Sequence, residues 1–206
     1  MFALVKDGSI TKYISGNKGI TIGDIQYPQS IFTLWSADEK KAIGIYEVEY
    51  DNTNKKDEAW YINTNQSFVF ANDKVTGSYG SATAKAHADT TWTQEDSDDG
   101  LMPSDKSIGD IKTRGLKYNL IQTIKKQAAG ELQNTDWYVV RKADAGTAVP
   151  SAITTHRAAV RTKADEMETA ITNAADTPAL ETLYTYTKQD DGSVTRPLGE
   201  LPTLDS

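Results

Sequence analysis

The hydrophobic period changes once along this chain, and that change limits the fold more than any other feature. In the amino-terminal part, Ile43, Ile45, Tyr46, Val48 and Tyr50 are mostly β-branched or aromatic, with Glu47 and Glu49 alternating outward. This is the signature of a half-buried strand. In the carboxy-terminal part, Ile153, Val160, Met167 and Ala174 recur seven residues apart, with Ala164 and Ile171 filling the same stripe. That is one face of an amphipathic helix. Strands and helices in separate blocks predict an α+β chain: a small amino-terminal β domain of hairpins and meander, then a carboxy-terminal helical hairpin or three-helix element.

Local signals place the pieces. Ala3, Leu4 and Val5 lead into Lys6-Asp7-Gly8-Ser9, and Ile10, Lys12 and Tyr13 resume an extended pattern, which reads as a hairpin on an Asp-Gly turn. The glycine-punctuated stretch from Gly16 to Gly23 reads as a loop, Tyr27-Pro28 as a turn, and Ile31, Phe32, Leu34 and Trp35 as an apolar anchor. Ser36 followed by Glu39 gives a capping box for a short helical turn. Asp51 to Lys55 is a loop, Ala59–Ile62 and Ser67–Phe70 are short strands, and Asn72-Asp73 is a turn.

Residues 1–92 are thus expected to form the β domain, and the acidic, polar run 93–108 a linker. In the helical domain, 109–188, Tyr118, Ile121, Ile124 or Lys125, Ala128 and Leu132 recur at helical steps, with Gly130 fraying the end. Pro150 suits the first turn of a second helix. Leu180, Leu183 and Tyr184 give at most a short third helix behind Thr177-Pro178. The segment 189–206, with Pro197 and Pro202, reads as an extended tail that orders against a partner.

Composition excludes several classes of function. With 22 Lys plus Arg against 29 Asp plus Glu, the net charge of -7 argues against a phosphate-tracking surface, so no nucleic-acid partner is expected. No apolar run reaches the roughly 18 residues of a membrane helix. The start MFALVKDGSITKY lacks the plan of a secretory signal, and the chain has no cysteine, so synthesis in a cytoplasm is expected.

Catalytic signatures are equally sparse. The two histidines, His87 and His156, lie far apart without metal-ligand spacing, and both read as structural or surface residues. Neither a nucleophile elbow nor a phosphate loop occurs, and Gly16, Gly19 and Gly23 have the wrong spacing for a dinucleotide turn. Glu95, Asp96, Asp98 and Asp99 ahead of Gly100 partly resemble a calcium loop, but Lys106 stands where the closing glutamate is needed. No catalytic residue, cofactor or metal ligand is expected, and the chain reads as non-enzymatic.

The most specific segment is Asn134-Thr135-Asp136-Trp137-Tyr138-Val139-Val140-Arg141, followed after Gly146 by Val149-Pro150-Ser151 and a helix carrying Arg157 and Arg161. This Thr-Asp-Trp element, loop, proline and spaced Arg pair resembles the carboxy-terminal region of tail-fibre-assembly-type and related tail proteins of tailed bacteriophages. The opening MFALVKDGSITKY is similar to the amino-terminal hairpin of the same proteins. Together the two stretches cover about a third of the chain. Where those proteins run into a Tyr-Pro-Tyr type segment and a Phe-Pro element, this chain has the Gly16 to Gly23 loop and Tyr27-Pro28-Gln29-Ser30.

Asp136, Trp137, Arg157 and Arg161 match the pattern. The resemblance implies a virion protein of the tail, baseplate or tail-fibre attachment region, oligomeric in its assembly and contacting other tail or fibre proteins. The alternative it implies is a tail-fibre assembly chaperone that leaves the particle. Trp137, Tyr138, Arg157 and Arg161 are the expected partner contacts, because aromatic and arginine side chains dominate interface energetics. Within the fold, Trp137 is expected to pin the inter-helix loop and Asp136 to cap the turn.

Overall fold

The computed structural model describes residues 1–204 and divides them into two compact units, Met1–Thr83 and the residues from Ala84 onward. The chain is α+β, with a sheet in the first unit and packed helices in the second.

The first unit opens with β1 (Phe2–Lys6) and β2 (Ser9–Ile14), an antiparallel hairpin. Its turn residues Asp7 and Gly8 both have positive φ, the mirror-image turn that matches strand twist. The Gly16 to Gly23 stretch is not simply a loop. It carries a second hairpin, β3 (Ile20–Ile22) and β4 (Ile25–Tyr27), turning at Gly23, and Ile20 is buried. The apolar anchor is a single helical turn, α1 (Ile31–Leu34), which buries Ile31 and Phe32. In α2 (Ala37–Ala42) both halves of the capping box form, Ser36 N donating to Glu39 Oε2 at 2.8 Å and Glu39 N to Ser36 Oγ at 3.2 Å.

After α2 come β5 (Ile45–Asp51), β6 (Tyr61–Ile62), β7 (Ser67–Ala71) and β8 (Lys74–Ser78). The main sheet runs β2-β1-β5-β8-β7, with β5 and β8 parallel, so it is not a meander. The tight Asn72–Asp73 turn returns β7 onto β8, and β8 rather than β7 lies beside β5. One face packs Ile14, Ile20, Ile31, Phe32 and Ile45 beneath α1 and the second hairpin. The other gathers Ala3, Val48 and Val75 with Ile10, Tyr46, Phe68 and Phe70. Tyr13 of β2 meets Phe68 of β7 at 4.9 Å between ring centroids, so the sheet curls until its two edges touch. Gly77 permits this, because a Cβ there would lie 2.8 Å from the Phe68 ring.

The change of unit falls at Thr83/Ala84, within the short strand β9 (Thr83–Ala84), ahead of the acidic run. That run is folded rather than a bare linker. β10 (Thr90–Thr91) pairs with β11 (Ile111–Thr113), and between them α3 (Gln94–Asp98) is held by a Thr93–Asp96 capping box. Asp96 also binds Lys112, whose ammonium lies over the Trp92 ring. Its carboxylate is therefore neutralised, while Glu95, Asp98 and Asp99 of the same run stay exposed.

The long helices are α4 (Leu116–Gln133), α5 (Asp136–Ala145) and α6 (Ser151–Asn173), followed by α7 (Thr177–Tyr184). Gly130 lies on an open face of α4 and the helix continues past it. α6 buries the expected stripe of Ile153, Val160, Ala164, Met167 and Ile171. Lys117 reaches Thr172, Lys125 reaches Glu168 and Arg157 reaches Leu132, so α4 and α6 are antiparallel. The start of α4 is closed by the preceding segment. Gly115 N donates to Asp89 Oδ1, Leu116 N to the Ala86 carbonyl and Lys117 N to the His87 carbonyl.

The tail does not wait for a partner. The strands β12 (Thr187–Lys188) and β13 (Val194–Thr195) form a hairpin, and Leu198 beyond it is only 2% exposed. Leu198 N donates to the Leu183 carbonyl, and the Arg196 guanidinium stacks against Tyr184 and Tyr186 while pairing with Glu200.

Candidate interaction site on helix α5

α5 is built from the segment that carries the resemblance. The sequence pattern places Asp136-Trp137 at an inter-helix loop. In the structure α4 stops at Gln133 and a new helix begins at Asp136. Thr135, at the junction, is buried, and its hydroxyl donates back to the Leu132 carbonyl at 2.9 Å. Such local side-chain bonding competes with the helical ladder and allows a break here. Gly146 closes α5 in the left-handed conformation at φ 68°, its N–H bonded to the Lys142 carbonyl.

Arg157 fastens this junction from α6. It is 8% exposed, and its Nη1 donates to the Leu132 carbonyl and to Thr135 Oγ1, both at 2.7 Å. Nη2 lies 2.8 Å from Asp136 Oδ1. A cation at the carboxy end of α4 also complements the helix dipole, and Lys117 does the same for α6 through the Thr172 carbonyl. Each of the two antiparallel helices thus supplies a cation to the other's carboxy end. Arg157 is committed to the fold and is not a free partner contact.

The opposite occurs at Trp137. Rather than pinning a loop, its side chain is 51% exposed, and α5 contains no buried residue. The Trp137 and Tyr138 rings lie 3.8 Å apart between centroids. Arg141 covers them, its guanidinium carbon 4.7 Å from the Trp137 ring centre and 5.4 Å from that of Tyr138. Val139 and Val140 are exposed beside this stack. Arg161, one turn beyond Arg157, is exposed and makes only a 3.4 Å contact to the Arg157 carbonyl.

Sequence reasoning therefore found Trp137 and Tyr138 but passed over Arg141, Val139 and Val140. The signal for Arg141 was present, since residues three and four apart share a helix face, but it required reading the segment as helix. Asp136 does not cap a turn; it pairs with Arg157 at the first position of α5.

Among the described residues, no group of three or more His, Asp or Glu side chains could share a metal ion. Asp96, the centre of the partial calcium pattern, is occupied by Lys112 and Thr93, and these bonds lower its pKa from the ordinary carboxylate value. His87 is half-buried, and His156 is buried on α6 with Nε2 lacking a hydrogen-bond partner. Among the described residues, no helix is long and apolar enough to cross a membrane.

Comparison with protein-family models, curated proteins and solved structures finds no match to this chain.

Proposed function

We propose that this chain is a non-enzymatic structural protein of a tailed-bacteriophage virion, placed in the tail, baseplate or tail-fibre attachment region. It acts through contacts with other tail or fibre proteins and is oligomeric in the assembly. One observation carries the reading: α5, formed by the segment that resembles tail proteins, displays a stacked Trp137–Tyr138–Arg141 cluster flanked by Val139 and Val140 and buries none of its own residues. Tryptophan, tyrosine and arginine are the residues in which binding energy concentrates. Holding them on a fastened helix reduces the ordering cost of association.

The test is quantitative mass spectrometry of gradient-purified particles from the phage that encodes the chain, measured against a tail-tube or capsid protein. A fixed ratio to that protein supports the virion role. Absence from particles, with presence beside fibre protein in the infected-cell lysate, refutes it in favour of the assembly chaperone.

A further inference from the structure

The first unit contains a recess of about 210 Å³ between α2 and β5, lined by Ala37, Lys40, Ile45 and Tyr46 among others. Of the other charged groups that line it, four pair with one another, and Glu47 is exposed. Lys41 Nζ binds Asp73 Oδ2 at 2.6 Å, Tyr46 donates its hydroxyl to Asp73 Oδ1 at 2.9 Å, and Lys74 pairs with Glu49 at 3.1 Å. Lys40 differs. It is 8% exposed, and its ammonium makes no hydrogen bond or ion pair with any described residue. The Phe2 ring lies beneath it, 5.1 Å from Nζ to the centroid.

The stem of Lys40 is buried while its ammonium is not shut off from solvent, so the charge stands open to an acceptor and the aromatic ring meets only part of that demand. We propose that this recess binds a small monocarboxylate with a short aliphatic body, its carboxylate paired with Lys40 and its body against Ala37 and Ile45. Glu47 also lines the recess, and its charge disfavours a dianion such as phosphate more than a monoanion. A free short-chain acid and the carboxy-terminal residue of a polypeptide present the same chemistry.

The test is an amide NMR titration of the full chain with isovalerate, with a short peptide ending in valine, and with the same peptide amidated. Saturable shifts centred on Ile45 and Tyr46, produced by a carboxylate and not by the amide, are expected. Comparing the isovalerate and peptide affinities then names the source. Lys40→Met should weaken binding at least about tenfold, while Lys18→Met, an exposed lysine of the same unit, should not. If Lys40→Met fails to fold, Ala37→Leu, which narrows the recess from an exposed position, should produce the same loss. The proposal is overturned by the absence of saturable shifts, by equal response to the amidated peptide, by tighter binding of inorganic phosphate, or by unchanged affinity in the variants.

Discussion

Replacing Arg157 by methionine tests how the helical unit is held together, because the side-chain stem stays and the guanidinium is lost. Three contacts disappear: Leu132 O, Thr135 Oγ1 and Asp136 Oδ1. Each of the first two is a bond from a charged donor, worth about 1.5–3 kcal/mol. Their sum overstates the loss, since Leu132 O keeps its bonds from Thr135 N at 3.1 Å and Thr135 Oγ1 at 2.9 Å. The Asp136 partner is 56% exposed, so that pair contributes only about 0.2–1 kcal/mol. The expected destabilisation is therefore about 2–4 kcal/mol for Arg157→Met and under about 1 kcal/mol for Asp136→Asn. Urea unfolding followed by the helical circular-dichroism signal measures both, and a Thr135→Val double-mutant cycle should show coupling of about 1–2 kcal/mol. A loss below about 0.5 kcal/mol for Arg157→Met would refute the argument, since that is the range of an unremarkable surface change. An Asp136→Asn cost equal to that of Arg157→Met would also refute it, by placing the energy in the ion pair.

Leu198→Ala should cost about 2–4 kcal/mol and lower the Tm, because the side chain is fully enclosed; an unchanged Tm would return the tail to the status of a loose appendage. Gly115→Ala should be destabilising by about 1–3 kcal/mol or more, since the new methyl would lie 2.3 Å from the Ala88 carbonyl carbon; wild-type urea midpoints would contradict that closeness. The pKa of Asp96 is lowered by its bonds to Lys112 and Thr93, and that of Asp89 chiefly by the Gly115 N–H and then Arg114. Their contribution is present above the ordinary carboxylate pKa and is lost as pH falls through the lowered native values, so the urea midpoint should drop in acid, less steeply in Asp96→Asn. Trp137→Ala should change the Tm by little, as its side chain is half exposed, while weakening co-purification with particles; a large Tm loss would show the ring to be structural.

Where local chemistry and burial agreed, the sequence was legible. The Asp7-Gly8 turn, the Ser36–Glu39 capping box and the Ile153 to Ile171 stripe each contain their own cause within a few residues. Sheet order was not legible, because the parallel pairing of β5 with β8 depends on contacts more than twenty residues apart, such as Val48 with Val75. Composition misled at residues 93–108, since a count of acidic residues cannot show that Lys112 neutralises Asp96 or that Thr93 uses it as a cap. It misled again in the tail, where prolines and polar residues surround one leucine that is buried.

The candidate site was half legible for a related reason. Residue type marked Trp137, Tyr138 and Arg157 together, but type does not separate a side chain that fastens from one that displays. The geometry separates them. Arg157 reaches from α6 into the α4–α5 break and consumes its donors on Leu132, Thr135 and Asp136. Arg141 spends none on a described carboxylate and lies across two rings instead. The two arginines therefore have opposite signatures under substitution. Loss of Arg157 should be read in unfolding and, through unfolding, in every contact made by α5. Loss of Arg141, as Arg141→Ala, should leave the urea midpoint within about 0.5 kcal/mol of wild type and be read only in association. If Arg141→Ala instead unfolds the helical unit while particle incorporation of folded protein is unaffected, the aromatic stack is part of the fold and α5 is not the contact surface.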